Sequence, residues 1–255
     1  MIPEVALLMV GHELLTGAVQ DLNTPYLARA LYSQGAKLAK VEIVEDDPKA
    51  IAQGVKELLS YDYLLTSGGL GPTHDDRTVE GVALALGHPL QYHPQLRLAL
   101  ERHYQTTDLS KAQLQMALAP QGAQLYPLPE PPTLGFLPLV KVDKIYLLPG
   151  VPRLFAYYCQ LILPELSGPP LYRSALTIYE RESLLAPLIA RLAERFATLT
   201  VGSYPQYDAR QPNLFQVSIR LEGRDSSQLQ AALSYLISQI PSAWRWELEE
   251  APAKA

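Results

Sequence analysis

Short apolar segments alternate with amphipathic segments along the first 165 residues, and this alternation leaves few folds open to the chain. The run EVALLMV at 4–10 is apolar throughout, as expected of a strand that is covered on both faces. In the segment TPYLARALYSQG at 24–35 the apolar residues share one helical face, and Gly35 is a typical helix end. Strands and helices that alternate with short connections predict an α/β fold with three layers around a mostly parallel sheet.

Further elements of the same kind follow. Strands are predicted at 36–46, 62–67 and 144–149, and helices at 47–60, 78–87, 94–106 and 152–163. Asp47 and Pro48 suit the N-cap and the first position of the second helix. The proline-rich segment 120–138 predicts an extended excursion or a short hairpin.

The pattern changes after residues 167–172. Strands are predicted at 173–179, 198–204, 213–223 and 243–249, and helices at 182–196 and 225–240. This βαββαβ order is that of the ferredoxin-like unit. The sequence therefore predicts three parts: a domain at 1–167, a small α+β domain at 173–249 and a disordered tail at 250–255.

Composition limits location and partners. The net charge is -5 and there is no Lys/Arg cluster, which argues against nucleic acid as a partner. No apolar run approaches the ~18–20 residues of a membrane span, so no membrane partner is expected. The N-terminus lacks a basic leader and fits a strand better than a signal peptide. A single cysteine, Cys159, fits a reducing cytoplasm.

The segment TSGGLGPTHDDRT at 66–78 joins a predicted strand to a predicted helix, a position where open α/β sheets bind ligands. Its glycines, Gly68, Gly69 and Gly71, allow positive φ angles and close approach of a ligand. The start of the following helix favours an anion such as phosphate. Asp75 and Asp76 would repel a bare phosphate, so either a divalent cation lies between them or one acid caps the helix. The alternative is a glycine-rich turn with an Asp N-cap and no ligand.

Three more loops carry polar groups or glycines at predicted strand ends. They contain Glu13, Thr16, Asp21 and Asn23 at 10–24, Asp46 and Asp47 at 44–48, and Gly150 and Arg153 at 147–153. The carboxyl ends of parallel strands lie on one edge of a sheet, so these loops predict one pocket together with the glycine loop.

The motifs GHELLTG, VEDDP, TSGGLGPTHDDRT and YLLPGVP, in this order over residues 4–165, resemble the molybdopterin-binding (MoaB/MogA-like) fold in its CinA branch. The segments RESLLAPLI, VGSYPQY and FQVSIRLEG are similar to the small domain that follows in CinA proteins. They also resemble the molybdopterin-binding-like half of eukaryotic FAD synthases. The chain stops before the amidase domain of full-length CinA proteins, so nicotinamide-nucleotide deamidase activity is expected to be absent.

The resemblance implies one of two functions. The first is hydrolysis of a nucleotide pyrophosphate, as in ADP-ribose or FAD, with a divalent metal (Mg²⁺, Mn²⁺ or Co²⁺). The second is non-catalytic binding of molybdopterin or a nucleotide, linked to molybdenum cofactor handling. In the family two acids matter, and these correspond to Asp46 and Asp76, the predicted catalytic residues. Glu13, Asp21 and Asn23 correspond to other groups that the family uses.

Pyrophosphate cleavage requires neutralised charge on the phosphate oxygens and a water placed in line. We expect the N–H groups of residues 68–73 and the hydroxyls of Thr73 and Thr78 to hold the oxygens. Glu13, Asn23 and Gly150 complete the predicted substrate site. The metal is expected at Asp76, Asp75 and Asp21. Asp76, with Asp46 as the alternative, would orient the water.

The chain departs from its relatives at two places. His12 stands where relatives usually have Asp or Thr, and the segment 109–120 lacks an Asn that many relatives carry. His74 is expected to face solvent. The protein is expected to bind a small-molecule nucleotide or pterin phosphate and to self-associate as a dimer or trimer.

Overall fold

The computed structural model describes residues 1–129, 134–206 and 215–249, and its first strand is β1 (Glu4–Val10). The residues of β1 from Val5 onward are at most 2% exposed. Val5, Leu7 and Met9 pack into one core, and Ala6, Leu8 and Val10 pack into another. Successive side chains of a strand point to opposite faces. The strand is therefore covered on both faces, as its apolar run predicts.

The chain divides into two units, Met1–Gly168 and Pro169–Ala255. Beside β1, the described part of the first unit contains α1 (His12–Leu15), α2 (Asn23–Ser33), β2 (Lys37–Val44), α3 (Pro48–Leu58), β3 (Tyr63–Ser67), α4 (Thr78–Leu86), β4 (Leu90–Tyr92), α5 (Pro94–Tyr104), α6 (Lys111–Gln115), β5 (Leu118–Pro120), β6 (Gln124–Tyr126), β7 (Leu139–Val142), β8 (Ile145–Leu148) and α7 (Pro152–Ile162).

Six of these strands form one sheet in the order β2-β1-β3-β8-β7-β6. The first four strands are parallel, and β7 and β6 continue the sheet antiparallel. Leu27 of α2 and Phe155 of α7 pack against one face, while Ile51 of α3 and Val82 of α4 pack against the other. The predicted three-layer α/β fold with a mostly parallel sheet is confirmed.

The start of α3 follows from its first residues. The Asp47 carboxylate accepts hydrogen bonds from the N–H groups of Lys49 and Ala50, at 2.9 and 3.0 Å. Pro48 occupies the first turn, where a missing N–H group costs nothing. The predicted cap is confirmed, and it fixes where the loop after β2 ends.

Between residues 88 and 142 the structure contains short elements that the periodicity does not predict, namely β4 to β7 and α6. β6 pairs with β7, so the proline-rich segment 120–138 connects an edge hairpin; its residues 130–133 lie outside the described residues. Leu125, Tyr126 and Leu128 pack against the cores of the first unit. These apolar residues are therefore partly buried within the first unit, and self-association stays a prediction.

The described part of the second unit contains β9 (Tyr172–Ile178), α8 (Glu182–Arg195), β10 (Thr200–Gln206), β11 (Gln216–Gly223), α9 (Ser226–Gln239) and β12 (Trp246–Glu249). The strands form an antiparallel sheet in the order β10-β11-β9-β12. Leu192 of α8 and Leu236 of α9 pack with Leu176 and Ile219 of the sheet in one core. The predicted βαββαβ unit is confirmed. The expected disordered tail lies outside the described residues.

Within the described ranges, none of the helices combines the length and the apolar character that crossing a membrane requires. Cys159 is fully buried in the core of the first unit. Burial raises the pKa of its thiol, so the thiol stays protonated and poorly nucleophilic.

A cluster of polar side chains ties the edge hairpin to the end of the first unit. The Glu165 carboxylate accepts hydrogen bonds from the hydroxyls of Tyr126 and Tyr146, and from Lys141 at 3.1 Å. The Lys141 ammonium also lies 4.7 Å from the ring centroid of Tyr146. Burial by itself would raise the pKa of Glu165, but the three hydrogen bonds outweigh it and hold that pKa below its ordinary value.

We predict that Glu165→Gln lowers the free energy of unfolding at pH 7 by about 0.5–1.5 kcal/mol, since hydrogen bonds to a charged acceptor are lost but solvent screens this partly exposed group. The folded pKa lies below the unfolded one. The stabilisation is therefore complete above the unfolded pKa of about 4.3 and is lost as the pH falls through the folded pKa. Urea unfolding of both proteins over a pH series measures this, and the two curves should converge in acid.

The matched control is Glu57→Gln on the exposed side of α3, which should change the free energy of unfolding by less than about 0.5 kcal/mol. A Glu165→Gln deficit that is equally large at neutral and acid pH would contradict the ionic origin of the stabilisation.

Candidate functional site

A cleft of about 1160 Å³ lies at the carboxyl ends of β1, β3 and β8 in the first unit. This volume lies slightly above the ~300–1,000 Å³ that is usual for small-molecule sites. Its wall includes residues from all four predicted loops. The predicted site residues that line the cleft are Glu13, Asp21, Asn23, Asp46, Gly68, Gly69, Gly71, Asp75, Asp76 and Gly150.

Two glycines allow the loop to pass directly over the strand ends. Gly68 has a φ of +106°, and a Cβ atom there would lie 2.3 Å from the carbonyl oxygen of Val10. Gly69 has a φ of +64°, and its Cβ atom would lie 2.3 Å from the Thr78 hydroxyl. Side chains are excluded by both conformation and space, so this loop requires glycine at both positions.

The Thr78 hydroxyl holds this loop from below. It donates to the carbonyl oxygen of Gly68 at 2.8 Å, while the Thr78 N–H donates to the carbonyl oxygen of Gly69 at 3.1 Å. The side chain is fully buried and does not line the cleft. The expectation that this hydroxyl holds a phosphate oxygen is therefore corrected: its single proton is used inside the protein.

Thr73 and Asp76 close a turn within the loop. Oδ2 of Asp76 accepts hydrogen bonds from the N–H of Thr73 at 2.8 Å and from its hydroxyl at 2.5 Å. The hydroxyl of Thr73 also lowers the pKa of the neighbouring carboxyl of Asp75. Thr73 does not line the cleft. The expectation that the Thr73 hydroxyl holds a phosphate oxygen is therefore corrected, and Thr73 instead orients the acidic side chains of the loop.

Neither acid caps the following helix. The N-cap of α4 is Arg77, and no side chain accepts a hydrogen bond at this cap. The Asp N-cap of the alternative interpretation is therefore wrong, whereas the binding of a ligand by this glycine-rich turn stays a prediction.

The N–H groups that remain for a ligand are fewer than the sequence predicts. The N–H of Gly68 donates to the carbonyl oxygen of Leu148 at 3.1 Å, and the N–H of Thr73 donates to Oδ2 of Asp76. Within the described part of the chain, the N–H groups of Gly69, Leu70 and Gly71 have no partner, and all three residues line the cleft. Consecutive free N–H groups in a turn are a typical anion site.

Asp46 connects the loop after β2 to the loop after β1. Its Oδ2 accepts a hydrogen bond from the N–H of His12 at 2.8 Å. The His12 side chain is exposed, lies 3.7 Å from the carboxylate of Glu45 and does not line the cleft. The departure from the family at His12 therefore alters the surface beside the cleft rather than its lining.

Asn23 joins three strand-end loops from a buried position. Its Nδ2 donates to the hydroxyl of Ser67 at 2.9 Å and to the carbonyl oxygen of Gly150 at 2.8 Å. Asp21 in turn accepts hydrogen bonds from the N–H groups of Asn23 and Thr24, at 2.8 and 3.0 Å. Both predicted site residues line the cleft, and both also hold the start of α2 in place.

Gln115, at the end of α6, is a site residue that the sequence does not reveal. Its Nε2 donates to the carbonyl oxygens of Thr73 and Asp76, at 3.0 and 3.1 Å. A capping box between Ser110 and Gln113 fixes the start of this short helix. The sequence signal was only that an expected Asn is missing from this segment. In the structure Gln115 clamps the turn that carries the acids.

The described residues contain no group of three or more His, Cys, Asp or Glu side chains arranged to hold a metal ion. The acids that line the cleft therefore fit a metal only if a ligand supplies further oxygen atoms, as phosphates do for Mg²⁺. His74 lies at the rim with its side chain 98% exposed. This confirms that it faces solvent.

Comparison with known proteins agrees with this fold. A family described as "Probable molybdopterin binding domain" matches residues 6–168. A second family, "FAD synthase, middle domain", matches residues 170–247. The first match covers more than half of the chain, and the protein belongs to the family of molybdopterin-binding domains.

Individual relatives point the same way. A "Probable FAD synthase" of Caenorhabditis elegans is 27% identical over 266 residues, which cover 91% of this chain and 49% of that protein. A "CinA-like protein" of Citrifermentans bemidjiense is 38% identical over 168 residues, which cover 64% and 41%. The chain thus spans less than half the length of both relatives.

Among solved structures, the protein CinA of Thermoplasma acidophilum, whose function is unknown, superimposes with a TM-score of 0.60 and 28% identity. The match covers 65% of this chain and 98% of that one. The resemblance to the CinA branch and to FAD synthases is confirmed.

We predict that Gln115→Ala loosens the turn at 73–76 because it removes both hydrogen bonds from α6. Amide hydrogen exchange of Thr73 and Asp76 should become faster, whereas the free energy of unfolding should fall by no more than about 1.5 kcal/mol. Hydrogen exchange measured by NMR tests this. Gln95→Ala on the exposed side of α5 is the control, and equal exchange in both variants would refute the clamp.

Proposed function

We propose that the protein is a metal-dependent nucleotide pyrophosphatase that acts on a substrate of the ADP-ribose or FAD type. One observation carries the proposal: within one loop, the free N–H groups of Gly69–Gly71 and the carboxylates of Asp75 and Asp76 line the same cleft. The N–H groups favour a phosphate, which the carboxylates would repel. A phosphate accompanied by a divalent cation satisfies both sets of groups.

The proposed reaction is hydrolysis. The oxygen of a water molecule forms a bond to one phosphorus atom, the bond from that phosphorus to the bridging oxygen breaks, and two monophosphates and a proton are released. ADP-ribose would give AMP and ribose 5-phosphate, and FAD would give AMP and FMN. A bound Mg²⁺, Mn²⁺ or Co²⁺ would neutralise charge that develops on the bridging oxygen.

The residues of the chain have separate tasks in this proposal. The N–H groups of Gly69–Gly71 hold phosphate oxygens. Asp76, oriented by Thr73 through Oδ2, holds the ion and orients the water. Asp46, which is anchored to the backbone of His12, is the alternative for orienting the water.

The remaining predicted residues complete the proposed site. Asp75 and Asp21 are the other predicted metal ligands. Because the described residues contain no group of three acids arranged to hold one ion, we propose that no more than one of them joins Asp76 at the ion. Glu13, Asn23 and Gly150 line the cleft from the loops that follow β1 and β8. They are proposed to contact the substrate.

The comparisons support a nucleotide as the ligand. One relative is named a probable FAD synthase, and the second unit matches the middle domain of FAD synthase. The chain covers less than half of that relative, so the activity of the whole protein comes to this chain only as a proposal.

A second candidate is a non-catalytic protein that binds molybdopterin or a nucleotide for cofactor handling. The family description favours it, as does the lack of a three-residue metal group among the described residues. Release of AMP or phosphate from ADP-ribose, FAD, NAD and adenylylated molybdopterin, each with Mg²⁺, Mn²⁺ or Co²⁺, separates the two functions. Tight binding of molybdopterin without release from any compound would favour the binding protein.

We predict that Asp76→Asn lowers the rate of hydrolysis by at least about 100-fold, because the amide removes the charge that holds the ion. The free energy of unfolding should change by less than about 1 kcal/mol, since the amide oxygen can still accept from Thr73. Steady-state AMP release and urea unfolding measure the two effects.

His74→Ala is the matched control, because this side chain lies in the same loop and is 98% exposed. It should retain activity. A fully active Asp76→Asn together with an inactive His74→Ala would reverse the roles assigned within the loop.

We also propose that the protein works in the cytoplasm and self-associates as a dimer or trimer. The single, buried cysteine supports the location. Sedimentation velocity at micromolar concentration should give a mass of two or three chains, and a single monomeric species would overturn the second part.

A further inference from the structure

One part of the cleft wall outside the glycine loop is apolar and aromatic. It comes from β4, the end of α5, the residue after α6, β5 and the residues that precede β7; it includes Leu90, Tyr92, Tyr104, Met116, Phe136 and Leu137. Tyr92 is 58% exposed and Tyr104 is 37% exposed. Large apolar groups exposed within a concave surface are typical of ligand sites.

Phe136 is held in a fixed orientation within this wall. The imidazole of His103 stacks on it with a centroid distance of 3.8 Å and an interplanar angle of 10°, and Tyr104 meets it edge-on at 6.3 Å. His103 does not line the cleft, whereas Phe136 and Tyr104 do. The imidazole therefore supports the phenyl ring from behind. Such a ring loses little freedom when a ligand stacks on it.

The anion site and the aromatic wall belong to one continuous cleft. Its volume of about 1160 Å³ far exceeds what a phosphate group requires. A ligand that fits both regions carries a phosphate group and a planar, apolar ring system on the same molecule. Nucleotides have this chemistry, whereas inorganic pyrophosphate and sugar phosphates lack the ring.

We propose that Phe136 and Tyr104 form a stacking subsite for the heterocyclic ring of a nucleotide whose phosphate lies at Gly69–Gly71. The subsite rests on the proposed function for its phosphate end. It makes the substrate class a pyrophosphate that bears a planar heterocycle, either the adenine or the isoalloxazine of such a compound.

The test measures binding of AMP, FMN, ribose 5-phosphate and inorganic pyrophosphate by calorimetry in the presence of Mg²⁺. Phe136→Leu keeps an apolar side chain but removes the aromatic face. It should weaken AMP, FMN or both by about 10-fold, the scale of one stacking contact. Ribose 5-phosphate and pyrophosphate should bind as before. Loss confined to AMP identifies adenine, and loss confined to FMN identifies isoalloxazine.

Two further variants guard against a folding defect. Phe136→Trp restores a flat ring and should recover ring-dependent binding, while Leu98→Ala, at an exposed position of α5 outside the cleft wall, should behave as wild type. The subsite is refuted if the wild type binds AMP and FMN no better than ribose 5-phosphate. It is also refuted if Phe136→Leu weakens all four ligands alike or none.

The stacking subsite and the proposed hydrolysis can fail independently of each other. A wild type that hydrolyses no pyrophosphate but shows the ring-dependent difference keeps the subsite and overturns the hydrolase. A wild type that hydrolyses ADP-ribose while Phe136→Leu leaves AMP and FMN binding unchanged keeps the hydrolase and overturns the subsite.

Discussion

The structure depends on the close approach of three backbone segments at Gly68. A Cβ atom on Gly68 would lie 2.3 Å from the carbonyl oxygen of Val10, and one on Gly150 would lie 3.2 Å from the Cα atom of Gly68. The ends of β1, β3 and β8 can meet in this way only because no side chain stands between them. The meeting point places the loop after β3 across the edge of the sheet, and the cleft forms above it.

Several elements then fix the loop from different sides. Thr78 bonds it from the start of α4, Asn23 bonds the strand ends beside it from the start of α2, and Gln115 bonds its turn from α6. Two other hydrogen bonds, to the carbonyl oxygen of Leu148 and to Oδ2 of Asp76, use the N–H groups of Gly68 and Thr73. Among residues 68–73 of the described chain, the free N–H groups are therefore those of Gly69–Gly71. An anion site made by such a supported loop needs little rearrangement on binding, which is what makes fixed dipoles effective.

The sequence predicts those parts of the fold that a pattern of apolar residues within one short segment reveals. The apolar run of β1 and the helical period of α2 and α3 are long enough to be read directly, and the alternation in β11 predicts the second unit. Elements of three to five residues, such as β4 and α6, are too short to show a period. Gln115 contacts residues about 40 positions away in the sequence, so only the folded chain reveals it. Thr73 and Thr78 were predicted as ligands because a motif gives residue types without their partners.

The electrostatics of the glycine loop explain why its acids and its free N–H groups must be considered together. The Asp75 carboxylate is charged at neutral pH, as an aspartate ordinarily is, and it lies in the same loop as N–H groups that attract anions. Asp76 is committed to Thr73 through one oxygen, which leaves the other for a partner outside the turn. A phosphate alone meets repulsion here, and a cation alone meets too few protein oxygens. This combination of groups is why we propose that a phosphate and a cation bind together, and the aromatic wall of the cleft adds a surface that neither ion would use.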